Sequence, residues 1–248
     1  MSLFIVVAAT LLVAFVYSSV GHGGASGYLF ILSFLALPHE AMSSAALILN
    51  ILVSGLASWS FYKAGYFSWK LTWPFVVGSI PAAFLGGLIK IPAATYSVLL
   101  SLALALAAYR LLVAIPGNSN NEDERIIRPT IAVLVGAAIG LFSGMVGIGG
   151  GIILSPFLIL GRFSKAKEAA ATSAIFILLN SFAGLLGRAW RSGVSLSLPS
   201  ILYGTLLASF IGGFLGSQIG AKRFTSIGLR RVLAAVLFLA SAKLIWLH

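Results

Sequence analysis

Residues 130–160 read TIAVLVGAAIGLFSGMVGIGGGIILSPFLIL, an apolar run of helical length that breaks at a glycine cluster and then resumes for only a short stretch. An apolar run near 20 residues matches a hydrocarbon core roughly 30 Å thick. Gly147, Gly149, Gly150 and Gly151 interrupt the run where a membrane helix has no water to satisfy its freed backbone. Residues 3–37 repeat the design as LFIVVAATLLVAFVYSSVGHGGASGYLFILSFLAL, with Gly21, Gly23 and Gly24 in place of Gly147, Gly149 and Gly150. Apolar runs with paired interruptions predict an all-α fold, a polytopic membrane helix bundle.

Composition agrees. Of 248 residues, 60% are apolar and 8% charged, whereas a soluble domain carries about 25% charged residues to face water. A membrane β-barrel would alternate its faces, and stretches such as Ile201 to Phe214 show no period of two. The net charge of +11 comes from basic residues scattered singly or in pairs between apolar runs, with no basic stripe and no interleaved aromatics. It therefore reads as a topology signal and not as a nucleic-acid surface. The absence of cysteine excludes disulfides, thiolate metal sites and a cysteine nucleophile. Met1 to Val20 lacks the basic start of a secretory signal and reads as a mature helix.

Apolar runs and charged breaks give five segments in each half: Leu3 to Val20, Ala25 to Leu37, Ala41 to Phe61, Leu71 to Ile89 and Ala94 to Ile115, then Thr130 to Met145, Gly151 to Leu160, Ala169 to Ala189, Leu198 to Ile219 and Leu229 to Leu247. The second segment of each half is too short to span and reads as a half-helix or re-entrant segment. Pro116 to Pro129, with Asn118, Asn120, Asn121, Glu122, Asp123, Glu124, Arg125 and Arg128, is the polar linker. The chain thus divides into repeat 1–115, linker 116–129 and repeat 130–248. If each segment reverses direction, Lys63, Lys70, Arg110, Arg125, Arg128, Arg162, Lys165, Lys167, Lys222, Arg223, Arg230 and Arg231 share one side. Lys90, Arg188, Arg191 and Lys243 share the other. The positive-inside rule makes the first side cytoplasmic and places both termini outside.

The halves match at an offset of about 126 to 130 residues. Beyond the glycines, Glu40-Ala41 pairs with Glu168-Ala169, Ser43 to Asn50 has the spacing of Ser173 to Asn180, and Gly86-Gly87 pairs with Gly212-Gly213. An odd number of segments per repeat makes the repeats inverted, an arrangement of secondary transporters whose sites lie between the repeats at interrupted helices.

The helices beginning after Gly24 and Gly150 would aim free N–H groups and positive dipole ends at the gap between repeats, which suits a small anion. Gly21, His22, Gly23, Gly24 and Ser26 from one half, and Gly147, Gly149, Gly150 and Gly151 from the other, form the expected substrate loops. Ser18, Ser19, Ser143 and Ser155 are further hydroxyl donors. Ser43, Ser44, Thr172 and Ser173 lie near helix starts, where capping competes with substrate contact. Asn50 and Asn180 lie deeper, where interhelical bonding competes with it. Close helix packing is the competing reading for the glycines, and it is preferred for Gly86, Gly87, Gly212, Gly213 and Gly216. Charged residues avoid the middle of every apolar run, so an anion is expected to be held by neutral donors and dipoles, without a carboxylate proton relay. Enzyme chemistry lacks its inventory, because Asp123 is the sole Asp and no His/carboxylate cluster has metal-ligand spacing. No cofactor, metal site or catalytic residue is expected.

These motifs resemble the sulfite exporter TauE/SafE family of membrane permeases. The resemblance covers nearly the whole chain and rests on GIGGG at Gly147 to Gly151, Pro156, and AAATS at Ala169 to Ser173, with looser copies at GHGGA and at Ala41 to Ser44. His22, Ala25 and Phe30 depart from the pattern in the first half. The resemblance implies transport of small sulfur-containing anions such as sulfite or organosulfonates across a bacterial-type cytoplasmic membrane, with the glycine loops and the following Ser/Thr positions lining the path. The partners expected are a small anion and the lipid bilayer, with a homodimer compatible and no nucleic acid. A permease for another small anion or a metal ion, or a membrane scaffold without substrate, are the alternatives left open by the residues alone.

Overall fold

The computed structural model describes residues 3–35, 39–89, 109, 125–192, 201–225, 227–229, 231–232, 234–235 and 238. Among them the chain forms helices α1 (Leu3–Ser19), α2 (Ala25–Ser33), α3 (His39–Lys63), α4 (Trp69–Leu88), α5 (Pro129–Val146), α6 (Gly151–Leu160), α7 (Ala166–Ser192) and α8 (Ile201–Lys222). The expected fifth segment lies outside the described residues except for Tyr109, and the tenth is helical at the positions described. Most of the expected linker is also outside them.

Five helices, α3, α4, α5, α7 and α8, are long and apolar enough to cross a membrane. The solvation pattern is that of a bundle in lipid. Large apolar side chains such as Phe4, Leu134, Tyr203 and Leu207 are exposed, whereas Thr10, Ser54, Ser79, Thr205, Ser209 and Ser217 are buried. Thr10, Ser54 and Ser79 fit between helices by bonding backbone carbonyls of the preceding turn. Ser54 donates to the Asn50 carbonyl at 2.6 Å, and the Ser60 and Ser217 hydroxyls pair at 2.8 Å.

The helices end close to where the apolar runs end. α6 has the expected bounds and α2 stops four residues early, while α3 and α7 run past their apolar stretches into Lys63 and Arg191. Basic side chains in a last turn offset the negative end of the helix dipole, so the backbone ladder continues beyond the hydrophobic limit. Ser68 caps α4 by accepting the Leu71 amide at 3.4 Å, and Pro129 opens α5 where its missing N–H removes no ladder bond.

Packing is reciprocal between the halves. The most extensive interfaces are α4 with α5 and α1 with α8, which pair the fourth helix of each half with the first of the other. Phe75, Ser79 and Ala83 of α4 meet Gly136, Gly140 and Gly144 of α5 in that order, so these helices run parallel. Leu11, Phe15 and Ser19 of α1 meet Gly212, Gly216 and Gly220 of α8 in the same sense. A Cβ at any of these six glycines would fall on the facing backbone, which is the close approach that small residues permit in membranes. The third helices, α3 and α7, cross antiparallel: Asn50 bonds Ser181, Gly55 abuts Leu178, and Ser43 and Arg188 both border Gly147.

Polar bonds close the two ends. At one end, Lys167 Nζ donates to Tyr66 OH at 2.9 Å and to the Ala221 carbonyl at 3.2 Å, and the Arg125 amide donates to the Arg162 carbonyl at 2.9 Å. At the other, Arg188 Nη2 donates to the Met145 carbonyl at 2.9 Å and Arg191 Nη1 to the Gly87 carbonyl at 3.1 Å.

Gly140→Val forces its side chain into the Ser79 backbone and should lower stability by roughly 1–3 kcal/mol or more. Gly55→Ala meets only Leu178 Cδ1 at 3.9 Å and should be neutral or stabilising by up to about 1 kcal/mol. Thermal unfolding in detergent checks the pair, and equal melting temperatures would contradict the α4/α5 contact.

Candidate functional site

The two glycine breaks fold as related bends with left-handed ends, and the second carries one further left-handed glycine, Gly149 with φ 79°. Gly147 ends α5 with φ 84° and Gly150 precedes α6 with φ 76°; Gly21 and Gly24 hold the matching places with φ 77° and 94°. Left-handed backbone of this kind costs an L-residue roughly 1–2 kcal/mol, and glycine adopts it freely. The bend turns the chain back into the bundle, so each short helix begins inside the protein.

Both bends meet at Asn50, near the midpoint of α3. Its Oδ1 accepts the Ala25 amide, the first of α2, at 3.2 Å. Its Nδ2 donates to Ser181 Oγ at 2.8 Å, near the midpoint of α7, and lies 3.5 Å from the Ile148 carbonyl in the second bend. Gly23 and Gly149 flank the same carboxamide, and a Cβ on either would strike it. A single buried amide thus joins α2, the second bend, α3 and α7.

The other expected residues are distributed around this junction. Gly21 lies against the Ala170 backbone of α7, and Gly147 against Ser43 of α3 and the Arg188 guanidinium. Gly151 lies beside Ile177, with the Ser173 carbonyl 3.3 Å from where its Cβ would stand, and Ser155 Oγ donates to Ser173 Oγ at 2.7 Å. His22 is fully buried, and its Nδ1 lies 3.0 Å from the Val20 carbonyl. The Ser26 hydroxyl pairs with Tyr17 OH at 2.9 Å. Thr172 turns away from the bends to meet Thr72 of α4 at 3.2 Å, and Ser44 is half-buried. Asn180 is 1% exposed, and neither Oδ1 nor Nδ2 has a hydrogen-bond partner among the described residues.

Two residues at the junction escape a reading of apolar runs. Ser181 carries no motif and becomes visible only when α3 and α7 cross. Arg188 falls at the end of an apolar run and reads as a loop cation, yet α7 continues past it to Ser192 and leaves it 9% exposed beside Gly147. Its Nη2 donates to the Gly144 and Met145 carbonyls at 3.2 and 2.9 Å. A guanidinium therefore stands at the second bend beside the neutral donors and dipoles expected there. There it offsets the negative C-terminal end of α5.

Comparison with known proteins agrees with this architecture. No solved structure matches the chain. The chain is 33% identical over 238 residues to the probable membrane transporter protein y4hK of Sinorhizobium fredii, covering 94% of each. It is 25% identical over 276 residues to the probable membrane transporter protein YunE of Bacillus subtilis, covering 99% of this chain and 98% of that one. The sequence profile of the family described as sulfite exporter TauE/SafE matches residues 6–244. With its long apolar helices, the chain is a multi-pass membrane transporter, and it belongs to the sulfite exporter TauE/SafE family.

Proposed function

We propose that this transporter moves a small sulfur-containing oxyanion, sulfite or an organosulfonate, across a bacterial-type cytoplasmic membrane by alternating exposure of a site between two inverted repeats. The observation that carries the proposal is the convergence of both glycine bends on Asn50, midway along the crossing helices α3 and α7. The antiparallel crossing of α3 and α7, and the exchange of partners between first and fourth helices, support the inverted relation. Half-helices that start inside a bundle present unpaired amides and a positive dipole end, which favours an anion without a full countercharge. The family description names sulfite, and its extension to this chain is part of the proposal.

The mechanism follows from which contacts must persist and which exchange. The close-packed pairs α1/α8 and α4/α5 leave no room for sliding and would move as units, whereas the junction at Asn50 consists of single hydrogen bonds. Rocking of α1/α8 against α4/α5 would have to be accommodated at the crossing of α3 and α7 and would open the site to alternate sides.

Radiolabelled sulfite flux into reconstituted vesicles tests the function. Saturable flux is expected in the native protein, and at least about tenfold less in Gly150→Val, whose new side chain meets Ile139, Phe176 and Ser143. Unchanged flux in both Gly150→Val and Gly23→Val would reject the bends as the path, and absence of flux for every small anion would favour a scaffold. Asn50→Leu leaves the Ala25 amide and Ser181 hydroxyl without their partner and is expected to cost about 2–4 kcal/mol in thermal stability; an unaltered melting temperature would remove Asn50 as the junction. Because the chain has no cysteine, single cysteines report sidedness cleanly. Asn120→Cys is expected to react with impermeant maleimide only from the cytoplasm and Ser2→Cys only from outside, and labelling of both from one side would overturn the orientation.

A further inference from the structure

The two third-helix asparagines occupy the same place in the repeat but have different surroundings. Asn50 is committed to the protein, with Oδ1 on the Ala25 amide and Nδ2 on Ser181 Oγ. Asn180 is buried to the same degree, at 1% exposure, with both carboxamide atoms lacking a partner among the described residues. Ser143 Oγ, on a residue 3% exposed, shares that condition. A buried donor or acceptor without a partner costs stability, and no water in a bilayer core compensates it.

Ser143 lies against Gly150 at the start of α6, and the geometry of α7 places Asn180 on the face that turns toward it. A Cβ built on Gly150, the residue that precedes α6, would stand 3.2 Å from Ser143 Cβ and 3.0 Å from Phe176 Cε1. Asn180 follows Phe176 by one helical turn on the same face of α7. Just beyond, the backbones of α5 and α7 touch at Gly144 and Gly184, where a Cβ at Gly184 would stand 3.3 Å from Gly144 Cα. Ser143 and Asn180 are thus bracketed between two close contacts of α5 with its neighbours. The Ile153 and Leu154 amides turn back to the Gly150 carbonyl at 3.1 and 3.3 Å, so the Gly151 and Ile152 amides precede the helical ladder. In the first half the corresponding first amide, that of Ala25, is already taken by Asn50.

We infer that the start of α6 binds the ligand: Asn180, Ser143 and the Gly151 and Ile152 amides, with the buried and unpartnered His22 Nε2 of the first half beside Gly151, hold a singly charged oxyanion that still carries a proton, while Asn50 positions the bends without touching it. This assignment rests on the reading of the chain as an oxyanion transporter. The charge state follows from the inventory of donors and acceptors. Nδ2, Ser143 Oγ and the two amides donate to anion oxygens, but Asn180 Oδ1 needs a donor in return. A hydroxyl-bearing anion such as hydrogen sulfite supplies one, whereas sulfate and methanesulfonate have none at neutral pH. The Arg188 guanidinium, on the Gly144 and Met145 carbonyls, supplies one positive charge near Ser143, so a second negative charge would add a desolvation penalty without a matching countercharge.

Calorimetric titration of the detergent-solubilised protein with hydrogen sulfite, hydrogen carbonate, methanesulfonate and sulfate at mildly acidic pH tests the assignment. Hydrogen sulfite should bind at least about tenfold more tightly than methanesulfonate, which lacks the donor for Oδ1. Asn180→Leu and Ser143→Ala should each weaken hydrogen sulfite by about tenfold or more. Asn180→Leu should also raise the melting temperature of the ligand-free protein, a shift that a purely structural asparagine would not give. Native affinity in both variants, a lower melting temperature in Asn180→Leu, or methanesulfonate binding as tightly as hydrogen sulfite would overturn the inference. Hydrogen sulfite held at native affinity by both variants overturns this site and leaves the sulfur-anion reading standing. Asn180-dependent binding of hydrogen carbonate without hydrogen sulfite keeps the site and removes that reading, and no binding of any anion removes both.

Discussion

Inside a bilayer, backbone that leaves helical geometry must find its hydrogen-bond partners within the protein, and at the Asn50 carboxamide two such segments find the same one. Asn50 and Ile148 are 98 residues apart in the chain, yet the first amide of α2 and the second bend both lie within reach of that side chain. Much of the interior depends on this. The short helix α2 could not begin inside the bundle if its first amide were left in hydrocarbon, and the second bend is held against the same side chain through Ile148.

The surrounding scaffold is built from surfaces with almost no side chain. Where α4 meets α5 and α1 meets α8, glycine lies on facing backbone at every turn, so the pairs gain dispersion contacts that lipid cannot reproduce. Such interfaces tolerate little relative displacement. The halves also meet where α3 crosses α7, with the Asn50 carboxamide and the Ser181 hydroxyl at the centre of that crossing.

Much of this was legible in the residues. The bounds of α6 follow from the glycine cluster and from the turn at Gly161, and the bends at Gly21 to Gly24 and Gly147 to Gly150 follow from residues that alone tolerate left-handed backbone. Thr172 shows the limit of pattern. Its place in AAATS suggests the path, but helical rotation carries its hydroxyl to Thr72 on α4. Arg188 reads in sequence as a cation near the end of its segment, and only the fold shows that its guanidinium binds the Gly144 and Met145 carbonyls at the second bend. Asn50 and Asn180 were indistinguishable in sequence, since their spacing is the same. Their difference depends on what each side chain meets after folding, and that is set by residues far away, including Ser181.

The antiparallel relation of the two copies is the claim on which the rest turns, and disulfide formation across α3 and α7 measures it most directly. With Asn50 facing Ser181, an antiparallel crossing brings Gly55 to Leu178, whereas a parallel one would bring it to Leu186. In this cysteine-free chain, the account predicts that Gly55→Cys links rapidly to Leu178→Cys under membrane-permeant oxidant and not to Leu186→Cys. Linkage to Leu186→Cys, with none to Leu178→Cys, would contradict it.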